Sequence, residues 1–291
     1  LKRSPELSLR RDGVRALGAI FAVLIGPVLA LPTARAAPSA LPDRPAAAAL
    51  LEQFKQSVWS EPLYAEFDLI QMPRRGDERV FHGRFWGSRN ERGPVTRFEM
   101  ETAKGVFAHH ILVQGGHDGG IWASDGAVAG APAEAAMMAP LVPGVEMTPF
   151  DILPMPYLYW LDAELVSENR IRGRTAFTYL FTPDAEFSGR NPSVKSVRAY
   201  LDTQYDALVQ SEVNGPAGVS KTHSLLELRK VGNRWIPKDM DVRNEATRDK
   251  TRLSLTAVAI GAEGGPAAFD PALLGSPLAP PPAASVIRVE P

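Results

Sequence analysis

The sequence has no cysteine. That excludes a disulfide framework, thiolate metal sites and a cysteine nucleophile, and it leaves no thiol behind the N-terminal segment to be lipidated. Histidine is scarce and scattered: His82, His109, His110, His117 and His223 are the five in 291 residues. His109 and His110 are neighbours, so on a strand they point to opposite faces and cannot share one metal ion. No HExxH, EF-hand, Walker A or GxSxG pattern occurs. "GGHDGG" at 115–120 is the one stretch shaped like an active-site loop, with His117 and Asp118 as base or ligand, and its plainer reading is a flexible hairpin tip. The expectation is a protein with no catalytic residue, no metal and no cofactor. A net charge of −1 with no clustered basic face gives no footprint for nucleic acid.

Long apolar runs are also missing, with one exception. Lys2, Arg3, Arg10, Arg11 and Arg15 precede "ALGAIFAVLIGPVLAL", which is followed by Ala34-x-Ala36. A basic region, an apolar run shorter than the ~20 residues that comfortably span a bilayer, and a small-residue site read as a cleavable export signal over 1–36. An uncleaved anchor is the competing reading. Removing the segment takes away six basic and two acidic groups, so the net charge moves from −1 to −5. The expected location is the periplasm, as a soluble, monomeric protein.

Past an Ala/Pro linker at 37–46, "AAAALLEQFKQSVW" mixes helix formers with an apolar stripe of Leu50, Leu51, Phe54, Val58 and Trp59, which predicts one helix from about Pro45 to Ser60. The period then changes to two. "LYAEFDLIQM", "RVFHGRFWGSR", "VTRFEMET" and "VFAHHILVQ" read as antiparallel strands separated by Gly, Asn and Lys punctuation. Strands resume from Ala163 and run to Gly261. So many strands must curl, because a twisted sheet of about ten seldom stays flat. The fold class is therefore mainly β (α+β): an unclosed, strongly curved antiparallel β-barrel over 47–262, with an N-terminal helix and a short helical lid segment. The Pro/Ala-rich tail, 263–291, is expected to be disordered or loosely attached.

The lid is the stretch "MTPFDILPMPYLYW", Met147 to Trp160. Its three prolines suit neither a core strand nor a core helix. Thr148, Pro149 and Asp151 fit an N-cap, N1 and N3, starting one short turn that carries Phe150, Ile152 and Leu153. Pro154 and Pro156 end it, and Tyr157 to Trp160 should continue as an extended apolar ribbon. Such a piece could close a hydrophobic groove, or simply plug the end of the sheet.

The export signal, the helix leading into a strand meander, "PFDILPMPYLYW", "VRAYLDTQYDALVQSEV" and "RWIPKDMDVRNEATRDKTRLSLTAV" together resemble the outer-membrane lipoprotein-sorting protein family, relatives of the periplasmic carrier LolA. The resemblance covers roughly Leu50 to Gly261. It implies an unclosed barrel that carries the acyl chains of lipoproteins or other lipids in an apolar interior, without covalent chemistry, on the way to the outer membrane. The residues expected to line the lipid site, read from the apolar and aromatic positions of the first strand block and of the lid, are Phe67, Leu69, Phe85, Trp86, Phe98, Trp122, Phe150, Ile152, Leu153, Tyr157, Tyr159 and Trp160. Inner- or outer-membrane proteins are the implied partners. The alternative on the same fold is an envelope sensor or protein-binding module that docks through its strand edges.

Overall fold

The computed structural model describes residues 41–101, 105–116, 118–125, 131–132, 137–202, 204 and 207–289. The expected export signal and His117 lie outside the described residues.

The N-terminal helix, α1, runs Arg44–Ser57. Asp43 caps it by accepting from the Ala46 N–H at 2.9 Å, and a proline sits in its first turn, where a missing donor costs nothing. Ala47, Leu51 and Phe54 form its buried stripe, four and three residues apart. It stops three residues before the expected end because Val58 turns extended and Trp59 adopts φ +52°.

Strands then follow in two meanders. The first holds β1 (Leu63–Met72), β2 (Arg79–Asn90), β3 (Gly93–Glu101), β4 (Phe107–Gln114), β5 (Gly120–Asp125) and β6 (Ala131–Pro132). The second holds β7 (Asp162–Ile171), β8 (Arg174–Thr182), the short helix α2 (Ala185–Arg190), β9 (Ser196–Asp202), β10 (Leu208–Gly215), β11 (Gly218–Val231), β12 (Arg234–Asn244) and β13 (Lys250–Ile260). Antiparallel pairing of β1 with β13 joins them into one sheet, ordered β6-β5-β4-β3-β2-β1-β13-β12-β11-β10-β9-β8-β7. The ends of that order, β6 and β7, are not paired with each other, so the curved barrel is unclosed, as the alternating pattern predicts.

Period-two alternation sorts the side chains onto two faces. In β1, Ala65, Phe67 and Leu69 enter the concave core with Phe85, Phe98, Met100, Ile111 and Val113. A second concave core joins α1 (Ala47, Leu51, Phe54) to Tyr179, Phe181, Val197, Ala199 and Val213.

The tail departs from its expectation. Residues 266–273 form two short 3-10 turns, Leu274 is fully buried, and β14 (Ile287–Arg288) pairs with β13 at Ala257 and Val258. Its contacts are with the convex face. Tyr64, Trp86 and Ala259 pack under Phe269, Leu278 and Val286. Arg97, fully buried, donates to the carbonyls of Ala268 (3.3 Å), Leu274 (3.4 Å) and Ser276. Arg84 donates to Glu99 Oε2 at 2.9 and 2.7 Å and to the Leu278 carbonyl at 2.7 Å. Glu99 accepts from Arg97 at 3.1 Å and from the Leu278 N–H at 2.9 Å. Composition alone suggested disorder, but these buried charges need partners, and the backbone of the tail supplies them.

Candidate functional site

The concave face is already occupied by its own chain. Leu141, Val145, Met147 and Ile152 complete the first core, while Phe150, Met155, Tyr157 and Leu158 complete the second. The N-terminal signals of this segment hold: Thr148 caps a 3-10 turn, Pro149–Asp151, in a capping box, with Asp151 Oδ2 accepting from the Thr148 N–H at 2.9 Å and from its hydroxyl at 2.8 Å. The expected extended ribbon is instead a second 3-10 turn, Pro156–Tyr159, entered through Met155 at φ +48°. Phe150 and Leu158 have no exposed surface. The segment is therefore a plug set into the barrel; a cover over its mouth would keep one face in solvent.

The plug is bonded mostly to itself. Its backbone bonds run from Leu141 N–H to Met147, from Phe150 N–H to Met137, from Met155 N–H to Ile152 and from Leu158 N–H to Met155. Ties to the sheet go through side chains: Lys221 Nζ to Asp151 Oδ2 at 2.8 Å, Asn244 Nδ2 to Glu146 Oε2 at 3.1 Å, and the Glu146 N–H to Thr251 Oγ1 at 2.6 Å. A segment held without ladder bonds opens more readily than the strands around it.

Between the two cores and beside the plug lies a cavity of about 230 Å³. Its walls are mainly apolar: Phe54, Val58 and Trp59 from the end of α1, Leu63 and Phe85, Leu153 and Met155 of the plug, and Leu208, Leu225, Met240, Leu255 and Ile260 of the second meander. The mouth is a seam in the sheet. β12 pairs with β13 only over Asp239–Arg243; Arg234 to Pro237 pair with β11, and past Ser254 β13 pairs with β1 and, over Ala257 and Val258, with β14. Pro237, which has no N–H to donate, stands where the strands part. Trp235, 54% exposed, flanks the mouth. Arg234 bridges it by contacts to Glu61 at 2.9 Å and Ser60 Oγ at 3.1 Å.

One polar ring lines the inner wall. His223 is only 4% exposed, and neither ring nitrogen has a hydrogen-bond partner. Burial lowers its pKa below the usual 6.5 and holds the imidazole neutral, with Asp151 and Asp241 pulling the other way and Lys221 adding to the drop.

The twelve residues expected to bind lipid divide. Phe67, Leu69, Phe85, Phe98 and Ile152 share the first concave core, with Phe150 and Tyr157 in the second and Leu153, Tyr159 and Trp160 packed against it. Phe85 and Leu153 also line the cavity. Trp86 and Trp122 do not belong with them. Trp86 pairs across from Tyr64 and Trp122 from Leu112, one residue out of phase with the concave set, so both face the convex side beneath or beside the tail. Aromatic content says nothing about face; parity of position does. His223, Trp235 and Met240 escaped sequence reasoning, because nothing in the pattern marks where β12 leaves β13 except Pro237.

The glycine-rich loop has a packing role. A Cβ on Gly115 would lie 2.5 Å from Pro154 of the plug, and Gly116, at φ +102°, would put one 1.9 Å from the Arg92 carbonyl. Asp118 is exposed. No group of three or more metal-ligating side chains occurs among the described residues, nor does any helix there have the length and apolarity to cross a membrane.

An open, helix-covered half-barrel with an apolar interior defines the fold class, and solved structures share it. A domain from Vibrio parahaemolyticus described as outer membrane lipoprotein-sorting protein matches at TM-score 0.66 and 14% identity, over 78% of this chain and 97% of its own. A DUF1329 family protein from Desulfovibrio piger matches at 0.66 and 13%, over 79% and 98%. A LolA superfamily protein from Nitrosomonas europaea matches at 0.56 and 12%, over 73% and 92%. The chain thus has the LolA-like fold. No protein-family model matches the sequence, and no curated protein does.

Proposed function

We propose that the protein is a periplasmic carrier that takes the acyl chain of a lipoprotein or another lipid into its concave face, without covalent chemistry, and passes it towards the outer membrane. The observation that carries this reading is the apolar cavity between the two cores, walled on one side by a plug that is bonded mainly to itself.

The magnitudes suit transfer. A buried methylene contributes ~0.8 kcal/mol, so a chain of about sixteen carbons supplies roughly 10 kcal/mol in gross terms. Displacing the plug exposes Leu141, Val145, Met147 and Ile152 of the first core and Phe150, Met155, Tyr157 and Leu158 of the second, at about 1.5–3 kcal/mol each. A cargo chain that takes over the same walls therefore offsets only part of that cost and is held loosely enough to be released. Strand addition at the open edge is less favoured, since β7 carries Asp162, Glu164, Glu168 and Arg170, charges of the kind that blunt an edge.

The test is native mass spectrometry with organic extraction on protein purified from cells without detergent. A stoichiometric lipid or acylated peptide is the expected result. An empty protein that also fails to take up a fluorescent fatty acid would overturn the reading.

A further inference from the structure

Two hairpins bring six cations to the end of the barrel where the seam opens. The turn from β7 to β8 reads "RIRGR" over 170–174, and the turn from β11 to β12 reads "RKVGNR" over 229–234, with no carboxylate in either run. The hairpins touch: Arg172 donates to the Leu225 carbonyl of β11 at 3.1 Å, and Ile171 and Leu228 pack in one cluster. In register, Leu228 stands opposite Pro237 and Lys230 opposite Trp235. Positions 228 and 230 share a face of the sheet, so Trp235 and Lys230 lie on the face against which the β7–β8 turn packs.

Three of the six cations are held by carboxylates: Arg174 by Asp202 at 3.2 Å, Arg229 by Glu227 at 2.8 Å and Arg234 by Glu61 at 2.9 Å. The other three, Arg170, Arg172 and Lys230, are exposed and form no ion pair among the described residues. The whole chain carries −1, so this surplus is a local reversal of sign. Beside Lys230, Trp235 keeps 54% of its surface in solvent. Tryptophan gathers at the level of lipid headgroups, where its ring meets hydrocarbon and its N–H stays in the polar layer, and basic side chains near it are drawn to anionic lipid. The charges alone would suit an acidic protein. The indole projecting with them suits a layer that is anionic at its surface and apolar just beneath.

We infer that the two hairpin tips form a docking surface for bilayers that contain anionic phospholipid, with Trp235 at the headgroup boundary and Arg170, Arg172 and Lys230 over the lipid phosphates. The surface goes beyond the carrier reading and stands without it, since vesicles free of cargo suffice to show it. Docking here turns the mouth of the seam cavity, which Trp235 flanks, towards the membrane.

The experiment floats the protein purified from cells with vesicles of phosphatidylcholine alone, or of phosphatidylcholine and phosphatidylglycerol in equal parts, at low, physiological and high salt. Quenching of tryptophan by bromine-labelled acyl chains reports insertion. The expected result is at least roughly tenfold tighter binding to the anionic vesicles, weakening as salt rises, with quenching that is largely lost in Trp235→Ser. Lys230→Gln and Arg170→Gln should each weaken binding roughly fivefold. Arg75→Gln removes an exposed cation from the β1–β2 turn at the opposite end of the barrel and should leave binding unchanged. No flotation with anionic vesicles, equal flotation with both kinds, or quenching that survives in Trp235→Ser would overturn the surface. So would an Arg75→Gln loss as large as that of Lys230→Gln, which would assign the attraction to the charge of the chain as a whole. Anionic binding with no quenching at all would overturn it in favour of an acidic protein partner. The preference between vesicles and the quenching are both read in wild-type protein, whatever the folding of a variant.

Discussion

Lys221 of β11 places its Nζ 2.8 Å from Asp151 Oδ2, an ion pair between the sheet and the plug with both side chains largely shielded from solvent. Asp151 at the same time closes the capping box on Thr148. One carboxylate thus folds the plug locally and fastens it to the barrel.

Replacing Lys221 with Met leaves that carboxylate buried without its cation, a loss typically of about 3–5 kcal/mol. Because the plug has few other ties, the expected outcome is faster amide exchange over 148–158 and stronger binding of a hydrophobic dye, with the strands still protected. Lys221→Met combined with Asp151→Asn should recover part of the stability. Unchanged exchange in the single variant would show that packing alone seats the plug.

Glu99 holds Arg84, Arg97 and the tail together, so Glu99→Gln should cost about 3–5 kcal/mol. Leu274→Ala, which removes a fully buried side chain from the tail, should cost about 2–5 kcal/mol. Denaturant titration measures both. Limited proteolysis should spare 266–289 in the wild type and cut there in Leu274→Ala; cutting in both would put the tail in solvent after all.

Acid should weaken the fold in two stages. The lowered pKa of His223 means that the unfolded chain takes up the proton first, so stability present above pH 6.5 is lost below it, by at most about 1.4 kcal/mol per pH unit. Asp151 and Asp241 face the ring and temper the effect, while Lys221 adds to it. For Glu99, burial pushes the pKa up, but contacts with His110, the Leu278 N–H, Arg84 and Arg97 pull it further down, so its stabilisation is complete above pH 4.5 and is lost as pH falls further. His223→Leu should erase the first stage, and, by removing an unpaired polar ring, raise stability at pH 7 by about 1–3 kcal/mol. Thermal melts between pH 3 and 8 decide it.

Gly115→Ala should unseat the plug at its other end, where the new methyl group meets Pro154 and the Tyr159 ring. Overpacking of this kind costs about 1–3 kcal/mol. The readout is quicker uptake of a fluorescent fatty acid; slower or unchanged uptake would dissociate plug and entry.

The strand meander was legible from alternation, and the start of the plug's first turn from Thr148, Pro149 and Asp151, because both signals are local. The faces of Trp86 and Trp122 were not, since parity relative to Phe67 depends on register and on the bulge between Glu66 and Phe67. Nor was the order of the tail: proline and alanine imply weak local preference, whereas the tail is fixed by Arg84, Arg97 and Glu99, more than 160 residues away in sequence. The seam had one faint mark, Pro237. His223 had none, because an unpaired ring is a property of three-dimensional surroundings.

The grip of Arg84 and Arg97 on the tail falls on main-chain oxygens, those of Ala268, Leu274, Ser276 and Leu278. Such a grip reads spacing and ignores spelling. Solvent-facing side chains between Gly265 and Val286 can change freely as long as a small residue stays at 268 and apolar ones at 269, 274, 278 and 286, while a single insertion or deletion there shifts carbonyls off their guanidinium partners. In this part of the molecule, chain length is the strict requirement and solvent-facing composition the loose one.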